Sequence, residues 1–374
     1  MYLGLLLSFA LAVLVGTSIA RAGMSSSRTE AAPKPEIEER TPEPTYTVQA
    51  GLEGDVFPAF ANYASLQKPE ERTWPTVTVK LTNSSDKLVR RRIAVHIAGW
   101  SDEEVQMAEV AAGKLAEFKF APSFLARFYR NRQLVAATAV VHISDMAGST
   151  VFSSTTPVRL RSADDMYWGK GFQHADFIAS WVTPHDPRVE AILARAKEFM
   201  PERRLPGYER NRTPEMQERS TVLQARAIYR ALQRTGVSYV KSSGTFGARS
   251  TAHYAERVRM PSESLRDVSA NCIDGAVLFA SLFENLGMDP VIVLVPGHAY
   301  VGVRVAANSD RFLYIETALT GRAGFQMAVN AGRRGVQRFK ASETIRIPID
   351  EARRAGIFPL PNAQRSPEEQ AENR

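Results

Sequence analysis

Residues 266–317 read RDVSANCIDGAVLFASLFENLGMDPVIVLVPGHAYVGVRVAANSDRFLYIET, and the order of elements in this stretch decides the fold. Ser269 and Asn271 are N-cap residue types, and Asp274 follows in the first turn of a helix. Val277, Leu278, Leu282 and Leu286 recur close to a 3.6 period, and Gly287 is placed to end the helix as its C′ residue. After Pro290, the apolar run Val291–Val295 reads as a buried strand, which Pro296-Gly297 breaks. A second strand starts at His298, with His298, Tyr300, Gly302 and Arg304 on one face. The polar turn AANSDR leads to a third strand carrying Phe312, Tyr314 and Glu316 on one face. The last two strands form an antiparallel hairpin. His298 and Glu316 share a face only if even residues oppose even ones, for example Arg304 opposite Phe312; a slip of one residue separates them.

The chemistry of this stretch follows from three residues. Cys272 is the only cysteine in the chain and sits at the mouth of the helix. Unpaired N–H groups and the positive end of the helix dipole stabilise a thiolate there. A thiol, an imidazole and a carboxylate, in that order, are the parts of an activated cysteine nucleophile: Cys272, His298 and Glu316. The competing reading of each alone is structural, a small buried hydrophobe and a hydrogen-bonded strand-end histidine. A metal site is weakly supported, because a structural zinc takes four ligands and no second ligand type lies at short spacing. No carboxylate run has calcium spacing.

The segment NCIDGAVLFASLFENLGMDPVIVLVPGHAY is similar to the core of the transglutaminase-like superfamily, whose papain-like domains open a helix on a cysteine and later place a His-Ala-aromatic motif and an acidic residue on successive strands. The upstream RVRMPSESLRDVSANC also resembles the family's approach to its cysteine. The resemblance spans residues 170–361. It implies that Cys272 is the nucleophile and His298 the general base. Glu316 stands where the family usually has Asp to orient the imidazole, and Tyr300 takes the aromatic place. Glutamate is one methylene longer, so the carboxylate must approach the ring differently.

Outward from this core, residues 1–22 hold an uncharged apolar run ending at Arg21, with Ala20-Arg21-Ala22 as a small-x-small pattern. Two alternatives stand, a signal peptide or an N-terminal membrane anchor. Both imply an exported protein, periplasmic or membrane-anchored and facing outward. Residues 23–45 are rich in Ser, Pro and Glu and read as a disordered linker. From 46 to 161 short alternating runs around Val77, Ile93, Phe118, Leu134–Ile143 and Val151–Leu160 are separated by turn clusters. They predict a β-sandwich, immunoglobulin-like in shape. Phe57–Tyr63 reads as core, and Arg90-Arg91-Arg92 as a solvated strand edge. Trp168 and Trp181 read as packing residues at the junction. Asp186-Pro187 opens one helix, another runs from about Pro214 to Arg234, and Glu263 and Arg266 are spaced to pair locally. The segment Ser242–His253 reads as a loop near the cysteine. Phe325 begins a short helix, Ile349 another, and 362–374 is a disordered tail.

The fold class expected is therefore α+β, a β-sandwich followed by a transglutaminase-like domain. The 374 residues carry a diffuse net charge of +7, with 44% hydrophobic and 23% charged residues, enough for two cores. There are no internal repeats, no phosphate-cradling loop, no nucleic-acid module, and no cofactor motif. A lone cysteine permits no intramolecular disulfide. The function expected is a thiol enzyme acting on amide or peptide bonds of a peptide or protein substrate, by hydrolysis or acyl transfer. The alternative is a catalytically inactive scaffold that binds an envelope protein partner.

Overall fold

The computed structural model describes residues 42–209, 211–241 and 255–361. The expectations for the N-terminal apolar run, for the loop Ser242–His253 and for the tail lie outside the described residues. The chain is α+β. In its first part β1 (Thr45–Ala50) and β2 (Asp55–Val56) precede helix α1 (Pro58–Ser65), followed by β3 (Val77–Thr82), β4 (Val89–Ile97), β5 (Glu104–Val110) and β6 (Leu115–Phe120). Helix α2 (Ala126–Arg130) leads to β7 (Val135–Ser144) and β8 (Thr150–Leu160). These strands form a three-stranded sheet, β1-β3-β6, and a five-stranded sheet, β2-β8-β7-β4-β5. Alternation explains both: Val77, Val79 and Leu81 of the first and Ile93, Val95, Ile97, Val141 and Ile143 of the second are all fully buried in one core.

One reading of this part is corrected. Arg90-Arg91-Arg92 does not mark an edge, because β4 lies inside its sheet between β7 and β5. The arginines are held by neighbours: Arg90 by Glu109 at 2.8 Å, Arg92 by Glu103 at 3.2 Å, and Arg91 by the Tyr46 hydroxyl at 2.9 Å. Phe57–Tyr63 is core, as read, but it is helical. Pro58 at the first helical position supplies a preset φ, and Phe57 and Phe60 are 5% exposed.

The second part begins with β9 (Asp165–Tyr167), followed by a 3₁₀ segment Ala175–Trp181. Helix α3 (Pro187–Ala196) starts where its cap was legible: the Asp186 carboxylate accepts the Arg188 N–H at 2.8 Å. Helix α4 (Pro214–Thr235) ends on Gly236, at φ 87°. Then come β10 (Ser238–Tyr239), β11 (Ala255–Arg257), α5 (Pro261–Arg266), β12 (Ser269–Ala270) and α6 (Cys272–Asn285). A hairpin-built sheet follows: β13 (Pro290–Val295), β14 (His298–Arg304) and β15 (Phe312–Ile315), then α7 (Phe325–Gln337), β16 (Ile345–Pro348) and α8 (Ile349–Arg354). The sheet order is β15-β14-β13-β16.

This sheet is apolar on both faces. Ile292, Ala299, Val301 and Val303 join α6 in the main core, and every residue from Ile273 to Phe283 is buried. Val291, Val293, Val295 and Tyr300 form a smaller cluster with Val336 of α7 on the other face. Helix α7 approaches β15 closely because Gly332 has no side chain; a Cβ there would meet the backbone of Ile315 and Tyr314 at 2.8 Å.

The two parts are stitched by the antiparallel pairing of β9 with β11 and by ion pairs around a fully buried Asp164. Arg257 holds one of its oxygens at 2.9 Å, and Arg132 lies 3.4 Å from the other. Arg132 also bonds Glu263 at 2.8 Å. Glu263 therefore pairs across the molecule and not with Arg266, which binds Asp267 at 2.7 Å. Burial and the Glu263 charge push the Asp164 carboxyl up to about 6, against the pull of the two arginines.

Gly332→Ala is expected to lift α7 from β15 and cost about 1–3 kcal/mol of stability, measured by urea denaturation. Because the clashing atoms are backbone, wild-type stability in this variant would contradict the close approach described.

Candidate active site

The site is assembled from both ends of the decisive stretch. Asn271 caps α6: its side-chain oxygen accepts the Asp274 N–H at 2.8 Å, and Asp274 accepts the Asn271 N–H at 3.1 Å. This reciprocal box leaves Cys272 as the first helical residue, half-buried. Asp274 is fully buried and also accepts the Arg259 N–H at 2.8 Å and the Arg259 guanidinium at 3.1 Å. Burial raises the Asp274 pKa, while the donors from Arg259 and Asn271 draw it down. One carboxylate thus clamps the incoming chain to the helix start. Asp274 was legible as a first-turn residue, but its hold on Arg259 was not, since that contact spans the turn before the cap.

The register condition is met. Arg304 lies opposite Phe312 and Gly302 opposite Tyr314, so even residues face even ones. His298, at the start of β14, and Glu316, just past β15, therefore share a face, and His298 Nε2 lies 2.7 Å from Glu316 Oε2. The other oxygen, Oε1, accepts the Ala318 N–H at 3.0 Å and caps the turn Thr317–Leu319. Both carboxylate oxygens are fixed, so the ring they hold is fixed. With Nε2 committed to Glu316, Nδ1 is the nitrogen that can serve the thiol.

Cys272 completes the constellation. Burial pulls the His298 pKa down, but side-chain hydrogen bonds to Cys272 and to Glu316, together with their charges, outweigh it and raise His298 to about 10. The charged form of the imidazole is thus favoured beside the carboxylate. Tyr300, whose ring meets His298 edge to face at 4.7 Å, lies beneath it. Burial, then Glu316 and Cys272, raise the Tyr300 pKa.

Helix α6 and the end of β15 are held together by a close approach at Gly275. A Cβ on Gly275 would fall 2.5 Å from Thr317 Oγ1, and that hydroxyl donates to the Cys272 carbonyl at 3.4 Å. The bare glycine lets the cysteine-bearing turn reach the residue that follows Glu316.

Cys272 and His298 open on a cleft of about 310 Å³. Its walls include Trp168, Phe172, Ile273, Leu294, Pro296 and Ile345, with Glu256 and Glu343 also lining it. Sequence reading assigned Trp168 to packing, and it is 1% exposed, yet it lines the cleft as well. Phe172, Glu256 and Glu343 were not singled out, since nothing local marks them. Among the described residues, no three His, Cys, Asp or Glu side chains are grouped to hold a metal ion, and no helix is long and apolar enough to cross a membrane.

No protein-family model matches this chain, and no curated protein does. Among solved structures, a FixG-related protein from Vibrio parahaemolyticus is similar over 32% of this chain and 97% of its own, at 11% identity and a TM-score of 0.19. Likeness of that degree says nothing about fold or activity here.

Two measurements test the geometry. In NMR titration His298 is expected to lose its proton near pH 10, about where its raised pKa lies, and Glu316→Gln is expected to lower that midpoint by more than about one unit. A folded-state pKa above the unfolded value of about 6.5 means stabilisation that is full below pH 6.5 and lost as pH rises through the folded midpoint. A wild-type midpoint near 6.5 would contradict the pairing. Asp274→Ala is expected to cost about 3 kcal/mol, because it strands the part-buried donors of Arg259 and the buried N–H of Asn271; equilibrium denaturation reads it directly.

Proposed function

We propose that this chain is an exported cysteine-dependent enzyme of transglutaminase-like fold, acting on an amide bond of a peptide or protein substrate. In this reading the N-terminal strands form an immunoglobulin-like sandwich that presents substrate or binds an envelope protein, and residues 170–361 form the papain-like domain. Residues 1–22 direct export or anchor the chain. The observation that carries the proposal is His298, bonded through Nε2 to Glu316 at 2.7 Å, on one cleft with Cys272, the first residue of helix α6. The order of cysteine, histidine and acid on successive elements supports the same family.

The chemistry follows from these groups. The Cys272 thiolate attacks the carbonyl carbon, forming the S–C bond as the C=O electrons move to oxygen. The Cys272 backbone N–H, at the first helical position where no intrahelical acceptor exists, is the donor offered to the developing oxyanion. Collapse expels the amine, which takes the proton carried by His298, and a thioester remains. Water or an amine then gives a proton to His298 and attacks the thioester. Its collapse releases the acid or the new amide and returns the thiolate and the imidazolium. Glu316 holds the ring throughout, as positioning residue and counter-charge.

Cys272 can be tested without a known substrate. Iodoacetamide is expected to label wild-type Cys272 rapidly near pH 6, and His298→Ala is expected to slow that labelling about tenfold or more. Cys272 is the only cysteine, so adduct mass reads the site without ambiguity. Labelling that rises only near pH 8.5, as for a free thiol, would sink the enzyme reading and leave a scaffold.

A further inference from the structure

The net charge of +7 reads as diffuse along the sequence, but the fold gathers much of it on two adjoining helices. Two stretches hold no aspartate or glutamate: residues 219–255, which include most of α4, and residues 317–342, which include all of α7. On α4, Arg219, Leu223, Arg226, Arg230 and Arg234 follow one another at steps of three or four residues. They therefore form one stripe, about 22 Å long. On α7, Phe325, Ala328, Gly332 and Val336 are buried, and the solvent-facing surface carries Met327, Arg333, Arg334 and Arg338.

The two helices meet where α7 begins. The Tyr229 hydroxyl and the Gln233 amide of α4 both donate to the Ala323 carbonyl at 2.9 Å. The Arg226 guanidinium lies over the Phe325 ring, 5.6 Å from its centroid. Arg322 adjoins this junction and is exposed, so basic side chains continue from one helix to the other. Carboxylates at the ends of the two stretches have partners of their own. Glu218 pairs with Arg311 at 2.6 Å, Glu316 holds His298, and Glu343 accepts the Lys340 N–H at 3.0 Å. Among the described residues no carboxylate forms an ion pair with Arg230, Arg234, Arg322, Arg333, Arg334 or Arg338. Six exposed like charges on adjoining helices repel one another, so folding alone does not favour them.

Apolar side chains are set among these cations. Leu223 is 39%, Met216 45% and Met327 60% exposed. A soluble polyanion needs only the charges. A lipid headgroup layer takes both kinds of group, guanidinium at the phosphates and aliphatic side chains at the acyl boundary.

We infer that the solvent faces of α4 and α7, joined at Arg322, are a docking surface for an anionic lipid bilayer. The inference does not depend on Cys272 being a nucleophile. In the proposed reading residues 1–22 bring the chain to a membrane, and the basic surface then sets how the folded part lies against it.

The test follows partition of the full chain onto vesicles by flotation. The vesicles are phosphatidylcholine alone, or the same lipid with about 30% phosphatidylglycerol. The apolar run in residues 1–22 is the same in every variant, so changes in the ratio of the two partition constants read the charged surface. Taking the ratio within each protein also cancels differences in folded fraction. Wild type is expected to prefer anionic vesicles at least about tenfold, and to lose the preference in about 0.5 M salt. Arg230→Gln/Arg322→Gln/Arg333→Gln/Arg334→Gln is expected to lower the ratio about tenfold or more. The control Arg90→Gln/Arg92→Gln removes cations already paired with Glu109 and Glu103 and is expected to leave the ratio unchanged. Leu223→Ser/Met327→Ser is expected to weaken vesicle binding about threefold or more, with no change in binding to long-chain polyphosphate. A wild-type ratio below about twofold, or one that survives the four arginine substitutions, overturns the surface. Polyphosphate binding with the same salt dependence, and no effect of the two apolar substitutions on vesicles, overturns the lipid assignment in favour of a soluble polyanion.

Discussion

The proposed site hangs on the pairing of β14 with β15, in which Arg304 opposes Phe312. Side chains alternate along a strand, so a slip of one residue would send Glu316 to the face opposite His298. The observed register instead brings a carboxylate to 2.7 Å from the imidazole. It is enforced from both sides. Ala299, Val301 and Val303 must meet α6, while Tyr300 must meet α7, where Gly335 leaves room for its ring. Neither face can be exchanged without exposing a core.

The second constraint is the start of α6. A helix N-terminus attracts negative charge wherever it lies, but in the proposed reading Cys272 must also face His298. Here the Asn271–Asp274 box fixes the first turn, Asp274 ties it to Arg259, and Gly275 lets it approach Thr317. Thr317 follows Glu316 directly, so the same contact that seats the cysteine also seats the acid. The longer side chain at 316 is used at both ends: one oxygen holds His298, the other caps the turn that begins at Thr317. A glutamate in the acid position is thus part of the local architecture, and the imidazole is oriented through it.

Much of this was legible in the sequence wherever the signal was local. Asp186-Pro187 marked a real helix start, and Asn271 marked the start of α6, because caps are written within four residues of the turn they close. The three candidate residues were readable for the same reason, Cys272 and His298 at the first position of an element and Glu316 directly after one. The β14–β15 register was readable only as a condition. Reading failed where sheet order decides. Arg90–Arg92 looks like an edge by charge, yet β5, which was not foreseen, covers that side of β4. The cleft wall was also illegible. Phe172, Glu256 and Glu343 come from three separate segments and meet only because β9 pairs with β11 and β16 with β13.

The central proposal is that His298 serves Cys272 as its base. The most direct measurement is the thiolate absorbance near 240 nm, taken as the difference between wild type and Cys272→Ser from about pH 4 to 9. With one cysteine in the chain, the difference spectrum belongs to that sulfur. The account predicts that His298→Ala moves the rise of this absorbance to higher pH. A single rise centred near pH 8.5, the value of an unassisted thiol, unchanged by the histidine substitution, would contradict it.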